Sequence, residues 1–216
     1  MLQNQPNQQL LKLKIYNMIT KVFDTQEEWL ANRLGKITGS RLNDIVVKRG
    51  TNKKIGYYEL IAEKLGAVQD DENAMERGHR LEEEAIEKFI IDTKKEVHVG
   101  NIMWLREDNN NIAISPDGVI GETEAVEVKC LSSARHIEAL LTQEVPSEFE
   151  MQALQYFIVN EKLETLYLVF YDPRLPVKSY FYLTIVRNQE EVDKYLEYQK
   201  QVLEEIENIT KNLCQK

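Results

Sequence analysis

Ile114-Ser115-Pro116-Asp117-Gly118, followed after a short turn by Glu127-Val128-Lys129, is the stretch that decides the fold of this chain. Asn111 to Ser115 is mostly apolar and reads as a strand, and Pro116-Asp117-Gly118 reads as a tight turn or a break in strand pairing. Val119-Ile120 resumes the strand, Gly121 to Glu124 is a turn, and Ala125 to Cys130 alternates with a two-residue period. In that last strand Val126, Val128 and Cys130 fall on one face, with Glu127 and Lys129 on the other. A hairpin can bring Asp117 beside them. Two carboxylates at that range supply hard oxygen ligands for Mg²⁺, and a lysine beside a metal-bound water can hold or deprotonate it. The same spacing also fits a surface hairpin with a solvated Glu/Lys pair, so the rest of the chain has to decide between them.

The bulk properties set bounds. The 216 residues are 43% apolar and 29% charged, enough for one sizeable core. A net charge of −9 and a pI near 5.0 argue against a protein that coats nucleic acid by bulk charge, while leaving room for a local basic groove. Cys130 and Cys214 lack the paired spacing of a zinc site or a disulfide framework, and a reducing cytoplasm fits them. No apolar run approaches the roughly 18 residues of a membrane span, and no signal-like leader is recognisable. The expectation is a soluble, cytoplasmic protein with no membrane contact. Residues 1–20, rich in Gln and Asn, form a partly disordered N-terminal segment in this reading. Residues 21–216 form one domain closed by an amphipathic helix.

Along the chain, Leu10 to Met18 alternates loosely and reads as a strand or a docking segment. Thr25-Gln26-Glu27-Glu28 is a capping-box pattern that opens a helix to about Arg33. In Arg33-Leu-Gly-Lys-Ile-Thr-Gly-Ser40, Thr38 or Ser40 can cap a second helix to about Val47. A helix start with free amides, a serine and two nearby cations can take a phosphate, or can be an ordinary junction. Lys48 and Arg49 begin a basic loop to Lys54, either solvated or a groove lip touching a phosphate backbone. Tyr57 to Leu65 reads as a helix. In the helix from about Ala74 to Ile91, at about 100° per residue, Met75, Gly78, Leu81, Ala85, Ile86 and Phe89 share one arc, and Glu82 lies near its middle. A carboxylate aimed into an apolar face is costly unless it meets a charge or a metal.

Val97 to Trp104 reads as a strand and Ser132 to Thr142 as a polar helix. Pro146-Ser147-Glu148-Phe149-Glu150 is a second capping box, opening a helix to about Val159. Phe149, Ala153, Tyr156 and Phe157 form its apolar face, with Gln152 at the edge, where an amide can hold a phosphate or a water. Leu166 to Tyr171 and Lys178 to Arg187 are β-branched and aromatic strands. Asn188 to Leu213 is a long amphipathic helix.

Taken together, the motifs Arg33-Leu-Gly-Lys-Ile-Thr-Gly-Ser40, Arg77-Gly-His-Arg-Leu-Glu82, Ser115-Pro-Asp117-Gly, Glu127-Val-Lys129 and Gln152-x-x-x-Tyr156, in this order, resemble the lambda-exonuclease or YqaJ-like family of phage recombinases, within the PD-(D/E)XK nucleases. The resemblance spans about Trp29 to Arg187. It implies an α/β fold with a central mixed sheet flanked by helices, and Mg²⁺-dependent digestion of duplex DNA ends from the 5′ side, with Mn²⁺ able to substitute. It implies Asp117, Glu127 and Glu82 as metal ligands, Lys129 as partner of the attacking water, and Gln152 as the active-site glutamine. Arg33 and Ser40 match positions that grip a 5′ phosphate in this family; Thr38 beside them, Lys48 and Arg49 of the basic loop, and Tyr156 complete the expected phosphate and DNA contacts. A homotrimer and a single-strand annealing partner are implied by the family alone. A RecB-like or restriction-type endonuclease, or a non-catalytic DNA-binding recombination protein, is the alternative.

Overall fold

The computed structural model describes residues 18–46, 60, 75–131, 133–173, 175 and 178–214, with the backbone alone at 75–80 and 133–135. Two sheets and six helices make up the described part. Strands β1 (Met18–Val22), β2 (Ile102–Arg106) and β3 (Ala113–Ile114) form a small antiparallel sheet in the order β1-β2-β3. Strands β4 (Gly118–Ile120), β5 (Glu124–Lys129), β6 (Thr165–Tyr171) and β7 (Tyr180–Val186) form the main sheet in that order. Its β5–β6 pair is parallel and its other two pairs are antiparallel, so the expected mixed sheet is found.

The main sheet is covered on both faces, which is why β6 is an uninterrupted apolar run, Leu-Tyr-Leu-Val-Phe-Tyr, rather than an alternating strand. Helix α3 (Met75–Thr93) lays Ala85, Ile86 and Phe89 on Val126, Val128, Tyr167 and Val169. On the other face, α5 (Glu150–Val159) packs Tyr156, Phe157 and Val159 with Ala125 and Leu166. Helix α4 (Ser133–Thr142) sets Ala139 among Leu168, Phe170 and Leu183. Beyond Glu150, every residue of α5 is buried except Gln152, which is half-buried. A helix apolar nearly all round belongs at the centre of a protein, and this one lies among both sheets, α2 (Gly39–Ile45) and the C-terminal helix α6 (Gln189–Cys214). Arg187 and Arg106 turn in on its C-terminal carbonyls: Arg187 donates to Phe157 O at 2.9 Å and Asn160 O at 3.1 Å, and Arg106 donates to Ile158 O. Cations suit that end of a helix.

Local signals account for many of the elements. Helix α1 (Gln26–Arg33) begins where Thr25 Oγ1 accepts the Glu28 amide at 3.2 Å, as its capping pattern predicts. It ends at Gly35, whose φ of 68° suits glycine. The chain then runs back so that Ile37 lies parallel to Ile112, its amide donating to Asn111 O and its carbonyl accepting from Ala113 N.

Several expectations need correction. The strand expected at Val97–Trp104 starts only at Ile102, because Val97–Gly100 crosses toward β4, where His98 and Val119 exchange amide bonds. The capping box at Ser147 is not used: Phe149 N bonds Pro146 O in a turn, and Phe149 itself takes the N-cap position without a side-chain bond. Strand β1, whose partner lies more than eighty residues away, begins at Met18, inside the segment read as N-terminal. The expected helix at Tyr57–Leu65 and the basic loop carrying Lys48 and Arg49 lie outside the described residues.

Candidate active site

The chain passes from the small sheet to the main one at Ser115-Pro116-Asp117. Strand β4 pairs with β5 so that Gly118 opposes Val126, and one step further along that ladder Asp117 stands across from Glu127. The Val128 amide donates to Asp117 Oδ2 at 2.7 Å and fixes the carboxylate's direction. Gly118 is glycine because there is no room for more. A Cβ there would lie 2.6 Å from Val97 Cγ1 and 3.3 Å from Val126 Cβ.

Alternation in β5 places Glu127 on the α5 face, where burial leaves it 5% exposed rather than solvated. Both of its oxygens are engaged. Oε1 accepts from Lys129 Nζ at 2.7 Å and from Gln152 Nε2; Oε2 accepts from the Tyr156 hydroxyl. Lys129 also donates to Gln152 Oε1 at 2.7 Å and rests over the Phe149 ring at 4.6 Å. Gln152 and Tyr156, one helical turn apart on α5, therefore reach the same carboxylate. The sequence reading groups Tyr156 with the phosphate contacts. The structure instead buries it completely, edge-on to Trp104, with its hydroxyl turned onto Glu127.

Burial pushes the Asp117 carboxyl well above the usual carboxylate range, and the Glu127 and Glu82 charges push it further; the Val128 amide and Lys129 oppose them. Glu82 reaches this site from α3, half-buried in the same helix that buries Ala85, Ile86 and Phe89. Asp117 therefore feels the charges of both Glu127 and Glu82. Among the described residues, no three carboxylate, imidazole or thiol groups stand as a set that could hold a metal ion, and both oxygens of Glu127 are engaged by neighbouring side chains. The donor set still fits a hard divalent cation: oxygen ligands, crowded like charges, and an amide aiming one of them.

Arg33 stacks its guanidinium 4.5 Å over the Trp29 ring, one helical turn earlier. Burial lowers its pKa, and the Glu127 and Asp117 charges counter this, so the cation feels both carboxylates. Arg41 adds a second positive charge nearby. Thr38 occupies the N-cap of α2, is buried, and makes no side-chain capping bond. Ser40 is exposed. Gly39, between them, is pressed against the site: a Cβ there would lie 2.4 Å from Ile114 Cδ1 and 2.8 Å from Gln152 Cγ. Asp117, Glu127, Lys129, Gln152, Tyr156, Glu82 and Arg33 are thereby brought together, with the Thr38–Ser40 turn alongside.

The sequence reading missed Trp29 beneath Arg33, although their four-residue spacing on a helix signals it. It also missed Arg41, and the buried Ser115 Oγ beside Asp117, which has no hydrogen-bond partner. Cys130, at the end of β5, has its thiol pushed up to about 11 by burial and by the Glu82 and Asp117 charges.

Residues 28–163, more than half the chain, match the model of the YqaJ-like viral recombinase domain. The chain belongs to that family. Its fold is similar to that of LHK-Exo, an alkaline exonuclease from Laribacter hongkongensis. The crystal structure of that enzyme has a TM-score of 0.72 at 29% identity, covering 87% of this chain and 98% of that one. The structure of LHK-Exo in complex with dAMP gives 0.73 at 31% identity with the same coverage. A phage-related exonuclease from Haemophilus somnus 129PT shares the fold at 14% identity, with a TM-score of 0.57 over 83% of this chain and 95% of that one. No curated protein sequence matches the chain. The family assignment agrees with the resemblance read from the motifs, and the mixed α/β architecture with the fold it implied. Among the described residues, no helix is long and apolar enough to cross a membrane.

Proposed function

We propose that this family member is a DNA exonuclease that digests one strand of linear duplex DNA from its 5′ end, using Mg²⁺ or Mn²⁺. It releases mononucleotides and leaves a 3′ overhang for homologous recombination in a bacterial cytoplasm. The observation that carries the reading is the convergence of Asp117, Glu127, Glu82, Lys129 and Gln152 at the point where the chain switches sheets, with Arg33 at its rim. The relatives support it: one is described as an alkaline exonuclease and is also seen with dAMP, a nucleoside monophosphate of the class such a reaction would release.

Asp117, Glu127 and Glu82 would hold the cation, which supplies Lewis acidity to the phosphate and lowers the pKa of the attacking water. Lys129 Nζ, held by Glu127 and Gln152, would orient that water by donating to it, and the water's proton would pass to bulk solvent. The water oxygen forms a bond to phosphorus, the bond to the 3′ oxygen of the terminal nucleotide breaks, and that oxygen takes a proton from solvent to leave as the 3′ hydroxyl. Gln152 fixes Lys129 and Glu127 relative to one another, so the reacting groups need little reorganisation. Arg33 and the Thr38–Ser40 turn receive the 5′ phosphate of the strand being shortened, and set the distance from the end to the bond that is cut. Lys48 and Arg49 extend the contact along the backbone.

The test is a linear duplex with a 5′ phosphate on one strand only, incubated with and without Mg²⁺. Selective Mg²⁺-dependent loss of the phosphorylated strand as mononucleotides is expected. Cutting of closed circular duplex, or internal fragments, would point to an endonuclease; tight binding without products would point to a binding protein. Light scattering with and without a duplex end tests assembly as a ring of three copies. Co-purification with a single-strand annealing protein tests that partnership.

A further inference from the structure

Two glutamines that the chemistry does not use face each other in the core. Gln155 on α5 and Gln199 on α6 are both fully buried. Gln199 Nε2 donates to Gln155 Oε1 at 2.7 Å, and Gln155 Nε2 is shared among Gln199 Oε1 at 3.2 Å, Ile37 O at 3.0 Å and Ala113 O at 3.2 Å. A buried amide left unpaired costs stability, so each of these side chains is fixed by the partners it bonds. The acceptors show where the Gln155 amide acts. Ile37 is the midpoint of the Arg33–Ser40 turn, and Ala113 is in the strand that leads into Asp117.

Gln155 also lies three residues beyond Gln152 on the same helix. One rigid element therefore holds the reaction centre through Gln152 and the turn through Gln155. Helix α6 locks the arrangement from behind: Gln199 fixes the Gln155 amide, and its neighbour Tyr198 donates to Ile45 O, at the last residue of α2, at 3.1 Å.

We infer that Gln155, held by Gln199, is a positioning residue that sets the spacing between the Arg33–Ser40 turn and the catalytic carboxylates, and so tunes selectivity for a 5′-phosphorylated end. This rests on the reading of that turn as the end-phosphate site. Misplacing a binding group by a fraction of an ångström weakens one end chemistry more than another, because only the phosphorylated end uses the turn. The C-terminal helix then contributes to substrate choice without touching DNA.

The experiment compares wild type with Gln155→Met, which keeps the length and volume but removes the amide, and with Gln199→Met. Two quantities are read: the ratio of kcat/KM for duplex ends with a 5′ phosphate over those with a 5′ hydroxyl, and amide hydrogen exchange across 33–42 and 124–129. In both variants the ratio should fall about fivefold, the size of one lost net hydrogen bond. Exchange should rise over 33–42 and stay unchanged over 124–129. The Gln155→Met/Gln199→Met double variant should lose no more than Gln155→Met alone, because both act through one link. Equal loss on both ends, or unchanged exchange in the turn, in a folded variant of a selective wild type overturns this proposal alone. A wild type indifferent to the 5′ phosphate overturns the end-phosphate reading and the proposal with it.

Discussion

Tyr156→Phe removes a single oxygen from the site. The ring is fully buried and Glu127 is 5% exposed, so no water can take the hydroxyl's place without opening the core. The lost bond is to a charged acceptor, where a net contribution of about 1.5–3 kcal/mol is typical. Glu127 Oε1 keeps Lys129 and Gln152, which places the expected loss toward the middle, about 2 kcal/mol. For a domain of this size that corresponds to a drop in Tm of about 4–8 °C. Burial and the Glu127 and Asp117 charges hold the phenol pKa well above 10, so the hydroxyl remains a proton donor below that pH. The stability difference from wild type should therefore be flat from pH 6 to pH 9. Urea unfolding at several pH values measures it. The contrasting role, a phosphate contact, makes a different prediction: losing a neutral hydroxyl's bond to a phosphate would weaken duplex binding and leave stability unchanged, with no change in salt slope because no counterion is released. The buried geometry predicts lower stability and unchanged duplex affinity. Unchanged stability together with weakened duplex binding would overturn the buried role of this hydroxyl.

Other perturbations test separate parts of the site. Asp117→Asn keeps an acceptor for the Val128 amide and removes the charge repelled by Glu127 and Glu82. A carboxyl whose folded pKa is raised loses stability as pH climbs above its unfolded value. The metal-free variant should therefore melt higher than wild type at pH 7, with the gap closing below pH 4, while cleavage is lost; calorimetry in EDTA and a gel assay read the two. Gly39→Ala drives a methyl into Ile114 and Gln152 and should cost about 1–3 kcal/mol by overpacking. It should also slow cleavage by displacing Gln152, which thermal melting and single-turnover rates would report. Asp108, paired with Arg106, has its pKa lowered to about 2. Its stabilising effect is present above pH 4 and lost as pH falls from about 4 to 2. The side chain is 43% exposed, so after solvent screening the contribution is about 1 kcal/mol. Asp108→Asn should show a correspondingly shallower acid loss in urea titrations between pH 5 and pH 2.

Much of this protein is local and is written in the sequence. Thr25 caps α1 because the bond it makes reaches only three residues on. Glu82 stands out because helical period puts it on the face that carries Ala85, Ile86 and Phe89, and Asp117 meets Glu127 because a three-residue turn closes one hairpin. What tertiary structure decided lies between residues far apart in the chain. Alternation placed Glu127 and Lys129 on one face, but burial of that face comes from α5, packed across it with Gln152 and Tyr156 twenty-five and twenty-nine residues away. The same packing turned Tyr156 inward, and it left the Ser147 capping box unused in favour of a turn at Pro146. The Gln155–Ile37 bond spans 118 residues, and no periodicity marks either end of it, because its amide is enclosed between Gln199 of α6 and the backbone of Ile37 and Ala113. Short-range hydrogen bonds and side-chain period fix which residues carry charge and which elements they ride on. The direction each charge faces, and the partner that neutralises it, follow from desolvation, which exists only once the layers have closed.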